Sequence, residues 1–152
     1  MNNINEEIIE IAKELPEWFT SKAIENMKKD IANLKVITKS ENNLIAGFII
    51  YEIKNKKCFI RWMAVKKDFQ GKGIGGKLIK KLIKICKKDR IKVIEVDTLA
   101  ETENYAPYEK TRNFYFSVGF VKDKIIKGGY EDGDDKLILK MSLSKRKGGE
   151  DE

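Results

Sequence analysis

A mixed α/β fold of the α+β kind, with a mostly antiparallel central sheet of about six strands, is predicted by the order in which hydrophobic periodicities change along the chain. Helical spacing comes first, a period of two follows over three runs, and a strongly amphipathic helix then leads into a dense β-branched run. A last helix and a hairpin complete the order. No internal repeat or Pro/Gly/Ser-rich linker interrupts it, so one domain is expected over residues 1–144, followed by a charged, flexible tail at 145–152.

The first helix is read from Ile8, Ile9, Ile11, Ala12 and Leu15, and Pro16 stops it. Thr20 or Ser21 caps a second helix that runs to Ile31, with Ala23, Ile24, Met27 and Ile31 on one face. Between them Trp18 and Phe19 sit in a short connection. Three strands follow: Leu34 to Thr38, Leu44 to Ile53 and Lys57 to Val65, joined at Glu41-Asn42-Asn43 and Lys54-Asn55-Lys56 as an antiparallel meander. From Gly73 to Lys88 a helix carries the stripe Ile74, Leu78, Ile79, Leu82, Ile83, Ile85 and Cys86. Ile91 to Leu99 is rich in β-branched residues, which suits a strand buried on both faces and parallel to the strand before the helix. Pro107 marks the first turn of the next helix and Gly119 its end. Phe120 to Lys127 and Lys136 to Ser144 form the final hairpin.

Composition narrows the chemistry. At 41% hydrophobic and 36% charged residues, the chain can bury a core beneath a heavily charged surface, which argues against disorder. There is no histidine, so the commonest general base and metal ligand are missing and no metal site is expected. Any catalysis falls to carboxylates, tyrosine, lysine, hydroxyls or backbone groups. The two cysteines, Cys58 and Cys86, read as small core residues. No apolar run reaches the ~18 residues of a membrane span and the N-terminus is unlike a signal peptide, so no membrane partner and a cytoplasmic location are expected. A net charge of +7 suits an anionic partner without choosing among nucleic acid, membrane surface and a phosphorylated cofactor.

The segment Gln70-Gly71-Lys72-Gly73-Ile74-Gly75-Gly76-Lys77 opens a helix with amides that no Cβ obstructs, a natural cradle for phosphate. It satisfies the dinucleotide pattern G-x-G-x-x-G, with Glu95 and Asp97 about twenty residues on, but hairpins precede it instead of alternating strand and helix units. It also fits G-x-x-x-x-G-K, but Leu78 stands where a magnesium-holding hydroxyl belongs. A glycine turn that serves packing alone is the remaining alternative.

The whole segment from Trp62 to Ile79 resembles the acetyl-CoA-binding motif of the GNAT N-acetyltransferase superfamily, with Gln70, Gly73 and Gly75 in its signature places. Downstream, Phe114-Tyr115 followed by Gly119-Phe120 is similar to a second feature of that superfamily. The resemblance covers residues 35 to 140. It implies helices on both faces of the sheet and a splayed pair of parallel strands, here Lys57 to Val65 and Ile91 to Leu99. It also implies transfer of an acetyl group from acetyl-CoA, as co-substrate, to a primary amine. The turn amides from Gln70 to Lys77 would hold the pyrophosphate, and the main chain of Met63, Ala64 and Val65 the pantetheine arm. Tyr115 would donate a proton to the departing sulfur, a role for a phenol of ordinary pKa near ~10. Glu95, in Ile94-Glu95-Val96, would be the base, directly or through water, with Asp97 in reserve.

The sequence departs from that superfamily at Tyr108-Glu109-Lys110-Thr111, where Asn-x-x-Ala is usual, and it lacks the usual opening strand. The segment Leu99 to Tyr108, with Glu101, Glu103, Asn104 and Tyr105, is expected to shape an acidic, aromatic acceptor pocket together with Trp18 and Phe19. Lys77, Lys80, Lys81, Lys84, Lys87 and Lys88 line one helix face, read as solvated, with Lys72 and Lys77 placed to meet phosphate. A non-catalytic coenzyme A sensor and a basic nucleic-acid-binding module stay open as alternatives, and the last hairpin could pair across a homodimer.

Overall fold

Asparagine makes the first two turns possible. The strands β1 (Lys35–Glu41), β2 (Leu44–Lys54) and β3 (Lys57–Val65) are joined by two-residue loops. Asn42 and Asn43 have φ of 52° and 65°, and Asn55 and Lys56 have 51° and 67°. Left-handed backbone at both central positions is what a tight hairpin matched to strand twist requires, and asparagine tolerates it better than most residues. β1 and β2 pair antiparallel from Glu41↔Leu44 to Lys35↔Tyr51, with one bulge at Lys39/Ser40.

The computed structural model describes residues 3–143; the tail expected at 145–152 lies outside them. Six strands join in the order β1-β2-β3-β4-β6-β5, where β4 is Val93–Leu99, β5 Val121–Ile126 and β6 Lys136–Ser142. One neighbouring pair runs parallel, so the mixed, mostly antiparallel sheet is present as expected. The chain forms two compact units, one of Met1–Glu52 with Ile60–Leu82, the other of Ile53–Phe59 with Ile83–Glu152.

In the first unit, α1 (Asn3–Lys13) and α2 (Ser21–Asn33) bury Ile8, Ile11 and Met27 in a core with Phe48 and Ile50. Thr20 caps α2, its hydroxyl accepting the Ala23 amide at 3.1 Å. Trp62 donates its indole N–H to Asp30 at 2.7 Å, so a polar tip is satisfied at the edge of the core. Phe19 belongs to that core, its ring 6.1 Å from that of Trp62, and Trp18 packs against the same cluster. Phe19 is thus occupied in core packing, while Trp18 is only partly buried. The first residues of α3 (Ile74–Lys88) also lie in this unit, where Ile74, Leu78, Ile79 and Leu82 are buried as their spacing predicts.

In the second unit β4 and β6 pair antiparallel from Val93↔Ser142 to Leu99↔Lys136. Burial alternates strictly along β4: Ile94, Val96 and Thr98 are buried, while Val93, Glu95, Asp97 and Leu99 are half-exposed. One face of the strand is fully buried and the other only partly covered, which corrects the expectation of burial on both. β-branched residues favour a strand, but alternation with carboxylates marks a partly exposed face. Cys58 and Cys86 are fully buried free thiols that hydrogen-bond to each other, the small core residues expected. α4 (Ala106–Ser117) has Pro107 in its first turn and is followed by Gly119 at φ 111°.

Candidate active site

The glycine turn lies wholly in the first unit. After β3 the Lys66 amide bonds the Ala46 carbonyl at 2.7 Å, and a single 3₁₀ turn, Lys67–Phe69, redirects the chain. Gln70 folds back so that its amide nitrogen donates to the Val65 carbonyl at 2.9 Å, closing the loop. Gly71 and Gly73 then take φ of 78° and 83°, which a side chain would strain. The Lys77 amide meets the Gly73 carbonyl at 3.1 Å, the first rung of α3. Ile74, Gly75 and Gly76 precede that rung, and the N–H groups at such a position have no partner within the helix.

A Cβ built at Gly71, Gly73 or Gly76 would meet nothing within 4 Å, so this side of the turn is open. Lys72 and Lys77 are exposed beside it, with the Lys72 ammonium over the Phe69 ring at 5.8 Å. From residue 69 to residue 77 there is no carboxylate. Unpaired amides, a helix N-terminus, two lysines and no opposing charge fit a diphosphate. The Ile74 side chain is buried in the core. Of the three predicted main-chain contributors before the turn, Ala64 is buried and Met63 and Val65 are half-buried.

The second unit gathers the candidate acid and base residues. Glu95 pairs with the Lys57 ammonium at 3.4 Å, a contact between half-exposed groups worth about 0–1 kcal/mol. Two residues on, Asp97 accepts a hydrogen bond from the Tyr130 phenol at 2.6 Å. Tyr115 is buried between Phe114 and Phe120, both rings edge-on at 5.3 Å. Burial, and after it the nearby charge of Asp97, pushes its phenol well above the ordinary tyrosine range. Tyr108 is pushed up to about 12 by burial and then by its neighbours Tyr105 and Asp97.

The acidic rim expected from Glu101 and Glu103 is taken up by structure. Glu101 bonds the Lys122 ammonium, which holds its carboxyl below the usual range, and Glu103 accepts the Asp135 amide at 2.7 Å. Tyr130 was not among the predicted site residues. Its signal was available in Gly128-Gly129-Tyr130-Glu131-Asp132-Gly133, where an aromatic stands alone among turn formers.

Comparison with known proteins identifies the family and the fold. The family model for the acetyltransferase (GNAT) domain matches residues 33–122. No curated protein matches the chain by sequence. Among solved structures, a GNAT-family acetyltransferase from Desulfovibrio desulfuricans is similar with a TM-score of 0.83 at 18% identity, covering 95% of each chain. The ribosomal-protein-S18-alanine N-acetyltransferase from Escherichia coli gives 0.78 at 18% identity, covering 97% of this chain and 93% of its own. A GNAT family acetyltransferase from Elizabethkingia anophelis, with acetyl-CoA bound, gives 0.69 at 22% identity over 81% and 85% of the two chains. This chain belongs to the GNAT acetyltransferase domain family, and it is an acetyltransferase. No helix among the described residues is long and apolar enough to cross a membrane.

Proposed function

We propose that the protein transfers an acetyl group from acetyl-CoA to the nitrogen of a primary amine, with residues 1–144 acting as one functional domain. The observation that carries this is the open turn at Gly71 and Gly73, which exposes the amides at the start of α3 beside Lys72 and Lys77. Acetyl-CoA supplies an activated thioester carbonyl. The amides from Gly71 to Gly76, with Gln70 closing the loop behind them and Lys77 adding charge, hold its diphosphate. The main chain of Met63, Ala64 and Val65 orients the pantetheine arm.

The second unit supplies proton handling. Glu95, loosely tied to Lys57, receives the ammonium proton through water, because an exposed ion pair of this kind opens readily. Tyr115 keeps its proton at neutral pH, since its phenol is pushed up by burial. A phenol so raised is a poor full proton donor to a thiolate of pKa ~8.5, but a good hydrogen-bond donor to developing negative charge on sulfur. The proton that ends on sulfur is then one the attacking nitrogen loses. Two buried thiols, Cys58 and Cys86, support a reducing, cytoplasmic setting.

Calorimetric titration with acetyl-CoA tests the assignment. Gly73→Asp introduces strain at a left-handed backbone position and puts a carboxylate where phosphate would lie. Wild type should bind and the variant should lose binding by about a hundredfold or more. Equal binding by both would overturn the cradle, and no binding by a folded wild type would overturn the acetyltransferase reaction itself.

A further inference from the structure

We propose that Asp97 is the carboxylate that receives the ammonium group of the acceptor, and that Tyr130 is the positioning residue that aims it; this rests on the acetyltransferase assignment above.

The carboxylates of the second unit differ in what neutralises them. Glu95 has Lys57, Glu101 has Lys122, and Asp123 has Lys140 at 3.5 Å. Asp135 is fully occupied: its two oxygens take the Gly128 amide at 2.9 Å and the Thr102 hydroxyl at 2.8 Å. Asp97, like Asp135 and Glu103, is held by neutral donors. Its partner is a neutral phenol, and among the described residues it forms no ion pair with lysine or arginine. A half-buried carboxylate without a cation is an unfavourable arrangement, which a cationic ligand would relieve. Asp97 lies on the partly exposed face of β4.

The surroundings fit an alkylammonium. Tyr130 donates its phenol to Asp97 at 2.6 Å, and the charge of Asp97 adds to the raising of the Tyr108 and Tyr115 phenols. Tyr105, exposed, lies against Tyr108 with ring centres 5.9 Å apart and planes tilted by 40°. Aromatic faces around an anion accept an ammonium together with its first methylene groups. An uncharged arylamine or an alcohol would gain nothing from Asp97. The substrate class is therefore an amine that is protonated in water.

Tyr130 is held in place by its loop. Its amide bonds the Asp134 carbonyl at 3.1 Å, its carbonyl accepts the Gly133 amide at 2.9 Å, and the Lys136 ammonium sits 5.0 Å from its ring centre. Asp135 fixes the loop base, since its own amide donates to Glu103 and its carbonyl accepts the Ala100 amide at 3.1 Å. One Asp97 oxygen is thereby pinned by the phenol, which leaves the second to take the ammonium.

Steady-state acetylation tests this with 1,5-diaminopentane, benzylamine, a tripeptide with a free N-terminus and an N-terminally blocked lysine peptide as acceptors, each against aniline. The wild type should acetylate at least one of the ammonium compounds and leave aniline untouched. Asp97→Asn should raise KM for that amine by about tenfold to a hundredfold while KM for acetyl-CoA stays within about twofold. Asp97→Glu should recover part of the loss, and Tyr130→Phe should raise the amine KM by a smaller factor with kcat little changed. Aniline used as well as the ammonium compounds, or an unchanged amine KM in both Asp97→Asn and Tyr130→Phe, would sink the proposal while leaving acetyl-CoA binding intact. So would a wild type that binds acetyl-CoA yet acetylates nothing in the set. Failure of the wild type to bind acetyl-CoA would instead bring down the underlying assignment and this inference with it.

Discussion

Three of the five tyrosines carry pKa values raised above the ordinary value, and the direction decides how the protein behaves in alkali. For Tyr108, Tyr115 and Tyr130 burial is the first cause, with the charge of Asp97 adding to it in each case. Below about pH 10 these phenols are protonated in both the folded and the unfolded chain, so they add no pH dependence. Above that, the unfolded chain loses protons that the folded chain keeps, and stability falls as pH rises through about 12, the Tyr108 value, and beyond. Following phenolate absorbance during an alkaline titration, we expect three tyrosines to ionise only as the fold is lost. Tyr115→Phe should leave two such tyrosines and shift alkaline unfolding to higher pH. Simultaneous ionisation of all five near pH 10 in the folded protein would contradict this. The place of Tyr115 was legible from Phe114-Tyr115 and Gly119-Phe120, but its environment was not. Its pKa is raised by burial first and then by a carboxylate on β4, and that carboxylate is held by a phenol 33 positions further on. No local pattern encodes such a pair.

Among the elements, α3 was legible because its stripe is long and regular, and the hairpins because asparagine occupies their turns. The alternating burial of β4 was missed for the opposite reason. Residue type argued for a buried strand, while the Glu95 and Asp97 alternation, which carried the correct answer, was read for chemistry alone. What seats α3 was equally hidden in the sequence. Gly47 lies in β2, and a Cβ there would stand 3.0 Å from the Ala64 carbonyl oxygen, 3.0 Å from a Leu78 methyl and 3.2 Å from an Ile74 methyl. The side chains can shift, but the carbonyl belongs to the β3 backbone. Gly47→Ala should therefore destabilise the protein by about 1–3 kcal/mol through overpacking. Denaturant unfolding would show this as a lower midpoint with an unchanged slope. Because Ile74 opens the helix that carries the glycine turn, the same variant should also bind acetyl-CoA more weakly. A stable Gly47→Ala protein with normal affinity would mean that β2 and α3 tolerate a wider separation than their packing implies.

At the scale of the whole molecule, the family match at residues 33–122 draws on both compact units, and the net charge of +7 bears on which anion the protein attracts. Lys77, Lys80, Lys81, Lys84, Lys87 and Lys88 are all exposed, and Lys81 donates to the Thr38 carbonyl at 3.1 Å. A solvated face and a nucleic-acid surface look alike in composition, but they differ in how steeply binding responds to salt. Coenzyme A presents a few phosphates to Lys72, Lys77 and a set of backbone amides. The amides are fixed dipoles whose short-range bonds are little screened. Raising ionic strength from about 0.01 M to about 1 M shortens the Debye length from ~30 Å to ~3 Å, so the lysine share should vanish while the amide share persists. We expect acetyl-CoA affinity to fall by about tenfold across that range and then level off, and Lys72→Gln with Lys77→Gln to flatten most of the fall. A duplex contacting the full lysine face would instead lose affinity as a steep power of salt, with a slope near one per phosphate neutralised. Salt-insensitive acetyl-CoA binding together with a steep duplex response would assign the charge of α3 to nucleic acid, and the opposite pair of results would assign it to the cofactor.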